Sequence, residues 1–111
     1  MTTLTLVCGK NGALRSCKAS GHADYAAKGY DIVCAAVTIL IRTAMQTLSE
    51  TDGVVFHADA AERGFLAFEV VAASEEKVKW LICMADFLEH GFSSLQSEYP
   101  QFVKLQKQIL D

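Results

Sequence analysis

"TLTLVCGKNG", residues 3–12, is the stretch on which the fold turns. Through residues 3–8, strand alternation puts Leu4, Leu6 and Cys8 on one side. Asn11-Gly12 then signals a short hairpin, because that pair accepts the positive φ angles of a tight turn. A returning strand is expected over residues 13–19. Its polar content suits an edge position or a solvated face.

Working outward, residues 32–48 are expected to form a helix. Asp31 is a suitable N-cap, since its carboxylate can accept the free N–H groups of the first turn. Thr38, Arg42, Gln46 and Glu50 make a narrow polar stripe at helical spacing. Nearly all else there is apolar, so the helix is expected to be largely buried. "GVVFHA" (53–58) and "GFLAFEVV" (64–71) read as two more strands joined at "DAAERG", with Leu66, Phe68 and Val70 facing one way. A second helix is expected from Ser74, with Glu75 and Glu76 at the positive end of its dipole. Val78, Leu81, Ile82, Ala85 and Leu88 form its inner stripe, Phe92 and Leu95 continue it, and Tyr99-Pro100 ends it. Periodicity leaves the tail "FVKLQKQIL" open between a strand and a short helix. The class is α+β: a layered sandwich of a mainly antiparallel sheet with two α-helices.

The 111 residues fit a single domain, residues 1–111. Hydrophobic residues make up 51% of the chain, and mean hydropathy is +0.23. That is apolar for a small chain, and a buried homo-oligomer surface is expected. The longest apolar run, Ile32 to Ile41, is shorter than the roughly 20 residues that span a bilayer. With no secretory signal visible either, a cytoplasmic protein without a membrane partner is expected. The net charge of −3 and scattered basic residues argue against direct nucleic-acid binding.

The four cysteines, Cys8, Cys17, Cys34 and Cys83, include no C-x-x-C pair, so neither a zinc site nor a dithiol motif is signalled. Cys8, Cys17 and Cys83 read as small buried hydrophobes. Cys34 differs. If Asp31 caps the helix, Cys34 falls in its first turn, where unpaired N–H groups favour a thiolate. His22 lies in the preceding loop, and twelve residues of chain can fold back to bring the imidazole to the thiol as base or ion-pair partner. Gly21 and Gly29 lend that loop freedom to close over a substrate. On the residues alone, two bland readings stand beside this one: Cys34 as core filler and His22 as a surface residue. Asp31 serves first as a cap and second as a group that orients His22. His57, in a strand, and His90, near a helix end, read as structural.

The run Gly21-His22-Ala23, then Gly29, then Asp31-Ile32-Val33-Cys34-Ala35-Ala36-Val37 closely resembles the signature of the ribosomal-processing cysteine protease family, Prp. The order of strands and helices and the Tyr99-Pro100 ending fit as well. The resemblance implies a bacterial endopeptidase that removes a short N-terminal extension from large-subunit ribosomal protein number twenty-seven, cutting after aromatic residues. It implies His22 and Cys34 as the catalytic pair, Asp31 and Gly21 as supporting residues, a homodimer, and no metal or organic cofactor. Asp24 stands where the family commonly has glycine, and Thr38 where it commonly has serine. Asp24 adds a negative charge near His22 and favours imidazolium. Two other classes remain: a non-enzymatic module that binds a ribosomal or other peptide by strand addition, and a thiol redox sensor.

Overall fold

The computed structural model describes residues 1–21, 28–60 and 64–110, with residues 28–31 described in backbone only. Five strands and two helices follow in the order β1 (Thr2–Gly9), β2 (Leu14–Ser20), α1 (Lys28–Ser49), β3 (Val54–Asp59), β4 (Phe65–Ala73), α2 (Val78–Glu98) and β5 (Val103–Leu110). One sheet holds all five strands in the order β3-β4-β2-β1-β5. Every neighbouring pair is antiparallel except β1–β5, which is parallel. The fold is α+β.

The opening hairpin forms as expected, with a longer connection than two residues. Gly9 N–H donates to the Ala13 carbonyl at 2.8 Å, and Gly12 N–H donates to the Gly9 carbonyl at 2.9 Å. The Asn11 side-chain oxygen accepts from Ala13 N–H at 3.0 Å. Gly12 sits at φ +89°, a conformation that costs glycine nothing and other residues strain. β2 is not an edge strand. It lies between β1 and β4 and carries the solvated face: Leu14, Cys17 and Ala19 are buried, whereas Arg15 and Lys18 are exposed.

Both helices cover the same face of the sheet, α1 over β3 and β4, α2 over β5, β1 and β2. Between them and the sheet lies one core. Leu4, Leu6, Cys8, Leu14, Cys17 and Phe68 enter it from the strands, Val33, Val37, Ile41, Ala44 and Leu48 from α1, and Leu81, Ala85, Leu88 and Phe92 from α2. Phe56 and Phe68 meet edge to face, with ring centroids 6.5 Å apart. Leu81, Ala85 and Leu88 are buried as their spacing requires. The opposite sheet face is open, and Thr5, Ser16, Lys18, His57, Glu69 and Gln106 line a shallow groove across it.

α1 departs from its expected form in two ways. It begins at Lys28, so Asp31 lies inside the helix and is not its N-cap. It is also only striped with burial: Ile32 is 52% and Ile39 63% exposed. By length and composition its segment Ile32–Ser49 is apolar enough to cross a membrane, with a mean hydropathy of 1.6. In this fold that helix lays Val33, Val37, Ile41, Ala44 and Leu48 on the sheet. The apolar residues outside that stripe have no sheet beneath them.

The tail is a strand. Val103–Leu110 pairs along all of β1, from Thr2↔Val103 to Gly9↔Leu110. Ser74 precedes a short 3-10 turn, Glu75–Lys77, which leads into α2.

Candidate active site

Gly21 lies at one end of the sheet. β2 leaves the sheet there at Ser20, opposite Phe65 at the start of β4. Gly21 follows at φ +111°, and its N–H donates to the Gly64 carbonyl at 3.0 Å. A Cβ at Gly21 would run into the Met1 carbonyl. Gly21 was expected to lend freedom. It is a pinned anchor, held between the beginning of β1 and the turn before β4. No local pattern signals this, because both partners are distant in sequence. Its neighbour His22 lies outside the described residues.

Seven residues beyond Gly21 the chain enters α1. Cys34 is the seventh residue of the helix, inside its i→i−4 ladder. The expected first-turn position is therefore corrected: the unpaired N–H groups belong to the turn before Cys34. The Cα–Cβ bond of a helical residue tilts toward the N-terminus, so the thiol still leans back toward that turn. The favourable field of a helix end fades within about one turn. Any strong activation of Cys34 must then come from another group.

The four thiols are distinct. All are free; Cys8 and Cys17 are buried, Cys83 is exposed and Cys34 is half-buried. Burial pushes the Cys17 thiol up to about 12. Burial also raises Cys8, with Lys107 acting in the opposite direction. Neither forms a thiolate readily at neutral pH, and the thiolate is the nucleophile. Cys83 was expected to be buried; α2 turns it outward, one residue past the inner stripe. Accessible thiols are thus confined to Cys34 and Cys83.

The direction in which Cys34 points follows from the helix geometry. Val33, Val37, Ile41, Ala44 and Leu48 define the stripe that faces the sheet. Leu40 is on the flank toward α2, where its side chain would lie 3.2 Å from a Cβ at Gly91. At 100° per residue, Cys34 and Met45 fall on the other flank. Because α1 lies over β3 and β4, that flank looks past the outside of the sheet. His57 does not share this region; it lines the open-face groove. His90 is exposed on α2. Among the described residues, no group of three or more metal-ligating side chains is present.

A family model described as "Cysteine protease Prp" matches residues 1–104. The chain belongs to the Prp family. It is a cysteine peptidase of the ribosomal-processing kind. The ribosomal processing cysteine protease Prp of Mycoplasma pneumoniae is 36% identical over 93 residues, covering 84% of this chain and 87% of that relative. A Streptococcus mutans protein of known crystal structure superposes with a TM-score of 0.79 at 24% identity, covering 99% of this chain and 96% of its own. An essential ribosomal processing protease Prp from S. aureus, crystallised with a substrate peptide, superposes with a TM-score of 0.79 at 15% identity, covering 96% of this chain and 99% of its own. At these identities the two crystal structures share the Prp fold with this chain.

Proposed function

We propose that this peptidase removes the short N-terminal extension of a bacterial large-subunit ribosomal protein, number twenty-seven, with Cys34 as nucleophile and His22 as general base and acid. The observation that carries the reading is the family match across residues 1–104. The half-buried thiol of Cys34 on a helix flank fits it, where Cys8 and Cys17 are sealed in the core.

The reaction is acyl transfer. His22 takes the thiol proton. The Cys34 sulfur attacks the scissile carbonyl, and a tetrahedral oxyanion forms. N–H groups in the first turn of α1, toward which the Cα–Cβ bond of Cys34 tilts, are candidates to stabilise that oxyanion. The imidazolium then gives its proton to the leaving amine, and the new N-terminus departs. A thioester remains on Cys34. His22 next activates water, the thioester is hydrolysed, and the extension leaves as a carboxylate. In this scheme Asp31, which lies inside α1, orients His22.

A cytoplasmic location belongs to the same proposal, since a ribosomal precursor occurs there and free thiols persist there. So does a homodimer. Ile32, Ile39 and Phe87 are exposed on the helix layer, and exposed apolar surface of this kind marks interaction sites.

The test incubates the protein with the ribosomal precursor and sequences the new N-terminus. One defined cut, absent with Cys34→Ala and with His22→Ala, is expected. An uncut precursor, or an equal cut by the Cys34→Ala protein, overturns the proposal.

A further inference from the structure

The sheet has two outer strands, β3 and β5, and they are treated differently. A bare sheet edge offers unpaired N–H and C=O groups to any extended chain. α2 closes part of the β5 edge. Leu105 N–H donates to the Gln96 side-chain oxygen at 2.6 Å, and Val103 N–H donates to the Tyr99 carbonyl at 3.1 Å. Both groups belong to alternate residues that point away from β1. Lys107 adds a side-chain bond to Glu89 at 2.8 Å.

β3 has no such cover. Its ladder runs to β4 alone. Among the described residues, nothing else is hydrogen-bonded to residues 54–58. Val55 and His57 are exposed, and Val54 and Phe56 are half-buried toward the helices. The bulge opposite Val55 and Phe56 has its extra residue, Val71, on β4, so it leaves the outer edge of β3 open.

Above this open edge stands the flank of α1 that carries Cys34. β3 runs toward the end of the sheet at which Gly21 lies. Cys34 stands only about 9 Å along the axis from the start of α1, six residues at 1.5 Å each. The open edge, the thiol and Gly21 therefore share one corner of the molecule. The β5 edge lies across three intervening strands from it.

We propose that the substrate peptide binds as an added strand on the outer edge of β3, beneath the Cys34 flank of α1. This rests on the reading of Cys34 as the nucleophile. Main-chain bonds to residues 54–58 hold the peptide extended, and its side chains alternate between the α1 side and the open face. A peptidase gains from this, because an extended chain presents its carbonyl to a nucleophile and a folded one hides it. Strand addition reads the backbone. The recognised chain must be unfolded at the cut and must offer unsubstituted amides at alternate positions.

The test is amide hydrogen exchange of the Cys34→Ala protein, free and with a peptide spanning the precursor's cut site. Outward amides within 54–58 are expected to slow by about tenfold or more, while those of 103–110 stay unchanged. A second readout uses the wild-type enzyme with peptides carrying a single N-methyl amide. Cleavage efficiency is expected to drop about tenfold at every second position, the loss of one hydrogen bond. Cleavage of the precursor without protection at 54–58, protection at 103–110 instead, or an N-methyl series with no period of two overturns the edge and leaves the peptidase reading intact. Protection at 54–58 without any cleavage by the wild type upholds the edge and overturns the role of Cys34.

Discussion

The two halves of the helix layer invite comparison. α1 has 22 residues and α2 has 21, and each lays a buried stripe on the same sheet. Yet α2 is tied to its edge strand by Gln96, Tyr99 and the Glu89–Lys107 pair, while β3, beneath α1, has no such covering bonds among the described residues. α2 covers the outer edge of β5, the strand that follows it in the chain. α1 sits where the chain must stay accessible, with a thiol on its outer flank. One half spends its polar side chains on closing an edge. The other leaves an edge open beside the Cys34 thiol.

The contrast breaks most easily at the thiols. Cys34→Ala is expected to lower peptide cleavage by on the order of 10⁴-fold or more, as loss of a nucleophile does. Cys83→Ala, on the α2 side, should leave the rate within about twofold. Thermal unfolding of both variants should lie close to wild type, because neither side chain is fully buried. Loss of activity in Cys83→Ala with Cys34→Ala unaffected would reverse the assignment of the two halves.

A smaller effect tests the anchor of the active corner. Gly21→Ala puts a Cβ at a positive φ and against the Met1 carbonyl. It is expected to destabilise the fold by about 1–3 kcal/mol, read by denaturant unfolding. Activity should fall with it if His22, the next residue in the chain, acts as proposed. Unchanged stability would mean that Gly21 is the free hinge its sequence setting suggests.

Much of the fold was legible because it is local. Asn11-Gly12 marks its turn by composition alone, and the stripe Leu81, Ala85, Leu88 of α2 shows its period without help. The features left open or misread depend on surroundings that the local sequence does not show. Val103–Leu110 becomes a strand because β1 offers it an edge, and nothing within "FVKLQKQIL" encodes that. Asp31 looks like a cap, yet the helix runs back to Lys28 through Gly29, a residue of low helix propensity. Ile32 and Ile39 read as core because apolar residues usually have a partner; the sheet is simply not under them. At the site, the signature around Cys34 was legible as a motif. The flank on which the thiol sits was not, because it depends on Leu40 meeting α2 at Gly91.

The smallest expected effect sharpens the edge comparison. Gln96→Ala leaves Leu105 N–H without its acceptor and should cost about 1 kcal/mol, or up to about 3 if water does not reach the group. Exchange at Leu105 should speed up, with cleavage unchanged. Equal exchange in both proteins would mean that α2 does not close the β5 edge.

The central claim is that a thioester forms on Cys34. Its most direct measurement is mass spectrometry of the protein quenched in acid during turnover of a precursor peptide. The account predicts an adduct with the mass of the removed extension, lost on mild base or hydroxylamine, on the proteolytic fragment that carries Cys34. Turnover with the adduct on the Cys83 fragment would contradict it. So would an adduct that persists unchanged after all substrate is consumed.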